Sequence, residues 1–372
     1  MLVSGGAGYA GAGRYIKMMN GDYAMDEQND LNNVKEFLMG SPVYAMSLGN
    51  KELFHSNFWV WLMNHKHEYA SVFFPDISVG EIEEITREEG HRDLTIWLKD
   101  QSVYVIENKL KSIPYEEQLE NYTTALQKKN IKFKGGLLAG IESCGLPSKW
   151  AFKTYKDIGE ELRKKAKQLD QPSPFEQNLI IQYANMIIKI NDFISQKTQE
   201  NKFVFGKLDE EKELHLDDIV KKIQAERFKK YLENNKSELE DVPGTKLEIT
   251  TGFSYGEAMI NVFYKLEAYN IGITIQGCQF RRVISKSGKA EEIFKFGKQK
   301  KYFEEDTQNL EKHGKVSMRK KYCKYDGSLE KGSTKNTHIY QWWSIGEEAT
   351  FQDLWDKIKE NMKVAKTCIR KQ

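Results

Sequence analysis

Apolar residues recur at helical spacing in several separate stretches of the chain. The clearest stretch starts near residue 50, where Phe54, Phe58, Trp61 and Leu62 are spaced to form one buried face of a helix. Similar patterns, with cap residues at their ends, predict further helices over residues 30–39, 112–130, 157 onwards, 175–195, 209–234 and 350 onwards. The chain is therefore rich in helices that must pack against something else.

Strand-like runs of apolar residues lie between these helices. Three of them follow one another directly, over residues 82–87, 93–98 and 102–109, and the polar turn 99–101 joins the last two as an antiparallel pair. Further strands are predicted at 136–141, 150–155, 247–251, 258–264, 271–275 and 339–344. Up to residue 141 the main elements therefore follow the order helix, three strands, helix, strand.

These elements predict two folded units. We expect a first core with flanking helices over residues 30–200 and an α+β accessory domain, with no role assigned, over residues 205–372, where the composition becomes more charged. Residues 1–29 are rich in Gly and Ala, and we expect them to form a flexible leader. Residues 6–11 match the glycine pattern of dinucleotide-binding folds, but no strand can precede them, so this interpretation is rejected.

Composition narrows the class of protein. A chain that is 40% hydrophobic and 12% aromatic can bury a sizeable core, which argues against disorder. The formal net charge of +2 means that any nucleic-acid surface must be local. The four cysteines contain no CxxC pair, and no apolar run approaches the roughly 20 residues of a membrane helix. We expect a soluble protein of the reducing cytoplasm.

Two acidic residues and a lysine lie at the ends of the consecutive strands. Asp93 opens the second strand, Glu107 lies near the end of the third, and Lys109 follows Glu107 two positions later. A hairpin brings both carboxylates to one sheet edge, and strand alternation points Glu107 and Lys109 to the same face. Carboxylates suit Mg²⁺, and an adjacent ammonium can orient or deprotonate a water and offset negative charge. This arrangement indicates metal-assisted hydrolysis of a phosphodiester.

A second aspartate competes for this role. Pro75-Asp76 is a literal proline–aspartate pair, but Asp76 lies in a loop-like stretch before the first strand. Asp93 opens a strand that pairs with the lysine strand, so hairpin geometry favours Asp93.

The same residues resemble a known family. Arg92-Asp93, followed by Glu107-Asn108-Lys109, resembles the split acidic signature of the PD-(D/E)XK nuclease superfamily, although Arg92 stands where the signature has proline. The stretch from Gln118 to Tyr122 resembles the Gln-x-x-x-Tyr motif of the RecB-like branch. Glu52, in a Glu-x-x-His-Ser run, resembles the acidic residue on the first core helix of an uncharacterised bacterial subfamily. The resemblance covers roughly residues 45–160.

This resemblance implies an α/β fold with a restriction-endonuclease-like core of helix, three antiparallel strands, helix and strand. It implies that Asp93, Glu107 and the carbonyl of Asn108 bind Mg²⁺ or Mn²⁺, and that Lys109 positions the attacking water. The expected partner is nucleic acid, in the first place DNA, and not a membrane; a homodimer or a separate partner protein is also compatible.

Further roles follow from the resemblance. Glu52 would hold a metal-bound water or a second metal, while Gln118 and Tyr122, on one helix face, would steady the strand end and approach the DNA backbone. Arg92 and His91 are candidates for phosphate contacts.

A basic stretch over residues 315–335 is a second candidate for nucleic-acid contact. It contains Arg319, Lys320, Lys321 and Lys324 interleaved with Tyr322 and Tyr325, a composition that can follow a phosphate backbone and stack bases. A charged surface loop explains this composition equally well.

Simpler interpretations exist for each motif taken alone. An isolated Glu-x-Lys is commonly a solvated ion pair, and Tyr122 by itself fits a core position. His55 fits either a buried polar contact or a neighbour of the site, and the His65-x-His67 pair is expected to be exposed and not to bind metal. Two hypotheses remain: a metal-dependent nuclease, and a catalytically idle nuclease fold that binds nucleic acid or protein.

Overall fold

The protein has a mixed α/β fold built on two main sheets. The computed structural model describes residues 30–47, 51–110, 112–169, 173–198, 208–239, 241–286, 290–303, 312–313, 316–317, 321–322, 337–346 and 349–370. Within these stretches, one sheet has five strands and the other has six. The predicted α/β class is therefore confirmed.

The first sheet has the strand order β1-β2-β3-β4-β5. Its strands are β1 (Ile82–Arg87), β2 (Leu94–Leu98), β3 (Ser102–Lys109), β4 (Lys132–Gly140) and β5 (Trp150–Thr154). The first three strands form an antiparallel meander, whereas β4 and β5 run parallel to β3. Consecutive antiparallel strands need only short turns, while a parallel partner requires a crossover, which the helix between β3 and β4 provides.

Helices cover both faces of this sheet. They are α1 (Asp30–Met39), α2 (Pro42–Ser47), α3 (Glu52–His65), α4 (Ala70–Phe73), α5 (Glu116–Lys128), α6 (Tyr155–Gln168) and α7 (Pro174–Lys197). One face packs against α3, α6 and α7 through residues such as Trp59, Ile106, Leu162 and Ile187. The other face packs against α5. Strand β3 is thus buried on both sides, which explains its nearly continuous apolar sequence.

The second sheet is an antiparallel arrangement with strand order β12-β13-β9-β8-β7-β6. Its strands are β6 (Lys246–Ser254), β7 (Glu257–Lys265), β8 (Tyr269–Gln276), β9 (Gln279–Lys286), β12 (Lys321–Tyr322) and β13 (Thr337–Ser344). The short strands β10 (Lys312–His313) and β11 (Val316–Ser317) form a separate pair.

Four more helices accompany this second half of the described chain: α8 (Asp209–Glu213), α9 (Asp217–Asn235), α10 (Ala290–Gln299) and α11 (Phe351–Arg370). Side chains of α9 contribute to both cores, because Ile223 packs with the first and Phe228 with the second. Arg227 of α9 also bonds Glu142 after β4, with 2.9 Å between Nε and Oε1. The domain boundary near residue 205 stays a prediction. Helix α9, which follows it, contributes side chains to both cores.

Most predicted elements are present, but one prediction in the second half needs correction. The single helix expected over residues 209–234 is two helices, because the backbone turns at His215, whose φ of 54° is left-handed, while Leu214 and Leu216 are buried. Strand β9 and helix α10 were not predicted from the sequence. None of the helices in the described stretches combines the length and apolar character needed to cross a membrane.

Candidate functional site

Strand β3 separates its terminal side chains onto two faces of the sheet. Val103 and Val105 pack on the α5 side, and the alternation of a strand continues that row with Glu107 and Lys109. Ile106 packs on the side of α3 and α6, and Asn108 continues that second row. The change from apolar to charged residues along one row therefore places a carboxylate and an ammonium at the end of a buried strand.

A strained turn between β1 and β2 presents Asp93. Glu88, Gly90 and His91 all have positive φ angles, of 57°, 59° and 64°. Left-handed backbone is unfavourable for residues other than glycine, and such strain tends to occur at functional sites. Asp93 immediately precedes β2 in place of opening it, and its Oδ2 accepts a hydrogen bond of 2.7 Å from the backbone N–H of Asn108. This bond ties Asp93 to the end of β3, beside Glu107.

Glu107 is the most enclosed acidic group of the site, with 2% of its surface exposed. Its Oε1 lies 2.7 Å from Lys109 Nζ and accepts a hydrogen bond of 2.9 Å from Gln118 Nε2. Its Oε2 is buried and has no hydrogen-bond partner among the residues that the structure describes. A buried carboxylate oxygen without a partner is unfavourable, so this atom is suited to bind a cation or to accept a hydrogen bond.

Burial and mutual repulsion shift the ionisation of these groups. Burial, reinforced by Asp93, raises the pKa of Glu107 from 4.5 to about 7. Burial also raises the pKa of Asp93, although the Asn108 N–H and Lys109 oppose this and Glu52 adds to it. Burial lowers the pKa of Lys109, but its contacts with Glu107 outweigh burial, so the pKa of Lys109 is raised overall. Additional positive charge near the two carboxylates would therefore be favourable.

Glu52 approaches the site from the first turn of α3. Its Oε1 accepts two hydrogen bonds from Ser112, one of 3.0 Å from the backbone N–H and one of 2.9 Å from the hydroxyl. The electrostatic influence of Glu52 reaches both Asp93 and Lys109. The loop that follows β3 thus holds the third acidic side chain within electrostatic range of Asp93 and Lys109.

Gln118 and Tyr122 connect the site to the strained turn. Gln118 Nε2 donates to Tyr122 Oη at 2.7 Å as well as to Glu107, and Tyr122 Oη donates to the carbonyl of His91 at 2.7 Å. Their i, i+4 spacing on α5 makes this relay possible. Tyr122 is also buried against Leu119, so its ring belongs to the core while its hydroxyl belongs to the site.

The donor set fits a divalent cation held by few protein ligands. Asp93 and Glu107 supply carboxylate oxygens, and the carbonyl of Asn108 lies on the same strand end. One of these oxygens, Glu107 Oε2, has no hydrogen-bond partner within the described stretches. Within the part of the chain that the structure describes, no three His, Cys, Asp or Glu side chains cluster closely enough to hold a metal ion. Two carboxylates and a carbonyl suit Mg²⁺, which keeps several waters, better than they suit a metal that needs a complete protein cage.

The remaining predicted residues are buried with a partner inside the protein, exposed, or outside the described residues. Arg92 is buried with 3% exposure and its Nε donates to Thr95 Oγ1 at 3.0 Å, so its phosphate contact stays a prediction. Asp76 lies in an exposed turn, and His65 is exposed beside Glu176 at 3.5 Å. Of the basic stretch, Arg319 and Lys320 lie outside the described residues, and Lys321 belongs to the short strand β12.

Sequence reasoning missed the contribution of Ser112 and the side-chain role of Asn108. In the sequence, Ser112 is only the first residue of the helix predicted over residues 112–130, which begins at Glu116 in the structure, and Asn108 is only the source of a carbonyl ligand. The one available signal was an asparagine on the core side of a buried strand, since a buried amide must find partners. His55 is buried beside Tyr183, with 3.0 Å between Nδ1 and Oη, and is therefore a core residue.

Comparisons with known proteins add no assignment to this geometry. No protein-family model matches the chain, no curated protein matches it, and no solved structure matches it.

Proposed function

We propose that this protein is a metal-dependent nuclease that hydrolyses phosphodiester bonds, with DNA as its substrate. The observation that carries the proposal is the enclosed Glu107 carboxylate, which pairs with Lys109, is repelled by Asp93 and has one oxygen without a hydrogen-bond partner among the described residues. The order of α3, the β1–β3 meander, α5 and β4 supports a restriction-endonuclease-like core. The resemblance of the motif residues to the PD-(D/E)XK superfamily points the same way.

Asp93, Glu107 and the carbonyl of Asn108 would hold Mg²⁺ or Mn²⁺. Bound there, the cation supplies positive charge against the negative charge that develops on the scissile phosphate. Asp93 is oriented by the N–H of Asn108, and Glu107 by Gln118, so both carboxylates are held in place before substrate binds. Such preorganisation is a main source of electrostatic catalysis.

Lys109 acts as a charged donor in this proposal. Its raised pKa keeps it as an ammonium at neutral pH, so it orients the attacking water and stabilises negative charge without accepting a proton itself. The Gln118–Tyr122 relay fixes the β1–β2 turn that carries Asp93. Glu52, held by Ser112, adds negative charge at the same edge and would help to hold the cation's water or a second metal.

The proposal is tested with Asp93→Asn and a matched change of the competing aspartate, Asp76→Asn. Single-stranded and duplex DNA are incubated with the parent and each variant in Mg²⁺, Mn²⁺ or EDTA. We expect metal-dependent cleavage by the parent and by Asp76→Asn, and a rate at least about 100-fold lower for Asp93→Asn, because a charged group of the site is lost. Both variants are isosteric, and Asp76 is exposed in a turn.

Three outcomes contradict the proposal. Cleavage in EDTA would show that the reaction needs no metal ion. An Asp93→Asn variant as active as the parent would show that Asp93 is not part of the active site. If the parent cuts neither DNA but retains DNA in a gel shift, the protein is the catalytically idle binding module.

A further inference from the structure

A buried polar cluster lies directly behind the candidate site, on the side of β3 that faces α3 and α6. It consists of Asn108, Ser56, Tyr155 and the backbone carbonyl of Glu52. The exposed fractions of Asn108, Ser56 and Tyr155 are 0%, 3% and 0%. Burying polar groups is unfavourable unless they are hydrogen-bonded, so the partners of this cluster are informative.

The side chain of Asn108 uses both ends of its amide. Its Nδ2 donates to the carbonyl of Glu52 at 2.8 Å and to Ser56 Oγ at 3.0 Å. Its Oδ1 accepts a hydrogen bond from the hydroxyl of Tyr155. Ser56 Oγ in turn donates to the carbonyl of Glu52 at 3.1 Å. These contacts leave the amide one orientation and attach the end of β3 to the first turn of α3.

The backbone of Asn108 makes the remaining connection. Its N–H donates to Asp93 Oδ2 at 2.7 Å, and its chain neighbour is Glu107. Asn108 is therefore linked to all three acidic residues of the site: to Asp93 through its amide N–H, to Glu107 through the chain, and to Glu52 through the carbonyl of that residue. A shift of Asn108 would move the three carboxylates relative to one another.

Tyr155 provides a fixed anchor for this residue. It is the first residue of α6, and a capping box between Thr154 and Asp157 defines where that helix begins. Its ring is wholly buried and lies edge-on to His55, with 5.3 Å between ring centroids. The hydroxyl therefore reaches Asn108 from helix α6, which carries none of the three carboxylates of the site.

We propose that Asn108, anchored by Tyr155, is the positioning residue that sets Asp93, Glu107 and Glu52 in the arrangement that a divalent cation requires. The inference rests on the proposed function, because it concerns the same metal site. It assigns the side chain of Asn108 a role separate from that of its carbonyl. It also makes Tyr155 a determinant of metal affinity although it touches no carboxylate of the site.

The test is the Mn²⁺ affinity of Tyr155→Phe in the full chain, measured by electron paramagnetic resonance and calorimetry without DNA. This change removes only the hydroxyl that holds the Asn108 amide, and we expect Mn²⁺ to bind about 10-fold more weakly, as when partners behind metal ligands are removed. Tyr183→Phe is the matched control, because Tyr183 is equally buried but bonds His55. Tyr183→Phe should lose about as much stability to urea as Tyr155→Phe and should keep the parental affinity for Mn²⁺.

Each outcome decides between the claims. A parent that binds Mn²⁺, with Tyr155→Phe binding as tightly, overturns this inference and leaves the proposed function standing. If both tyrosine variants bind Mn²⁺ equally weakly, the inference is also overturned, because the loss of affinity then follows from any buried tyrosine change and not from the Asn108 contact. A parent that binds no Mn²⁺ overturns the proposed function and this inference together. If Tyr155→Phe does not fold, Ser56→Ala decides in the same way, since it removes an Asn108 partner within a helix.

Discussion

Replacing Glu107 with glutamine tests whether the ionised, buried carboxylate destabilises the folded protein and whether a bound cation restores that stability. Folding raises the pKa of Glu107 from 4.5 to about 7 through burial and the charge of Asp93. Because the folded-state pKa is the higher one, the stability contributed by this group is present below pH 4.5 and is lost as the pH rises through 7. The full difference corresponds to about 3 kcal/mol, and roughly 2.5 kcal/mol of it falls between pH 5 and pH 8.5.

Urea unfolding of the parent and of Glu107→Gln in EDTA, at steps from pH 5 to pH 8.5, measures this quantity. Subtracting the two curves cancels the titrating groups that do not interact with Glu107, so the parent should lose roughly 2.5 kcal/mol relative to the variant. Glu117→Gln is the control, because Glu117 is an exposed residue of α5, and its curve should run parallel to that of the parent. Parallel curves for the parent and Glu107→Gln would show that folding does not raise the pKa of Glu107.

Adding Mn²⁺ at pH 8.5 completes the same experiment. A cation that binds only the folded state at 100 times its Kd adds about 2.7 kcal/mol of stability. The parent should gain this amount and Glu107→Gln should gain nothing, because its amide brings no charge to the cation. Equal gains in both proteins would mean that Mn²⁺ binds away from Glu107.

Two further predictions concern neighbouring residues. Burial lowers the pKa of His55 to about 3 in the folded protein, against 6.5 in the unfolded chain. The buried neutral ring therefore contributes stability above pH 6.5, and this stability is lost as the pH falls. Between pH 8 and pH 5 the free energy of unfolding in urea should fall by about 2 kcal/mol more for the parent than for His55→Gln, and equal falls would mean that the ring is solvated. Lys109→Met should keep Mn²⁺ affinity in calorimetry but cleave DNA about 100-fold or more slowly, since only charge stabilisation is removed; undiminished cleavage would exclude Lys109 from the reaction.

Local patterns predicted the strands of the site well. The bounds of β1 and β3 match the predicted residues. For β3 the reason is that a strand buried on both faces has a nearly continuous apolar sequence. The common face of Glu107 and Lys109 follows from strand alternation alone, and the ion pair of 2.7 Å agrees with it. Short-range geometry was sufficient for these features.

Contacts between residues distant in sequence were not predictable in this way. Asn108 meets Tyr155 and Glu52, which are 47 and 56 positions away, and no local pattern specifies such pairs. Strand β9 was missed because it contains Arg282, a charged residue in a core position. Its Nε donates to Asn361 Oδ1 at 2.5 Å, and this partner on α11 lies 79 positions later in the chain. Long-range partners make buried polar residues tolerable, and they are not visible in the local sequence.

We propose that Asp93 and Glu107 together hold a divalent cation. A crystal structure of the protein grown with Mn²⁺, with anomalous scattering used to locate the metal, tests this site. We expect an anomalous peak bound by Asp93, Glu107 and the carbonyl of Asn108, with Glu107 Oε2 as a ligand. A crystal that contains Mn²⁺ at other residues, with Glu107 Oε2 still without a partner, would exclude this site.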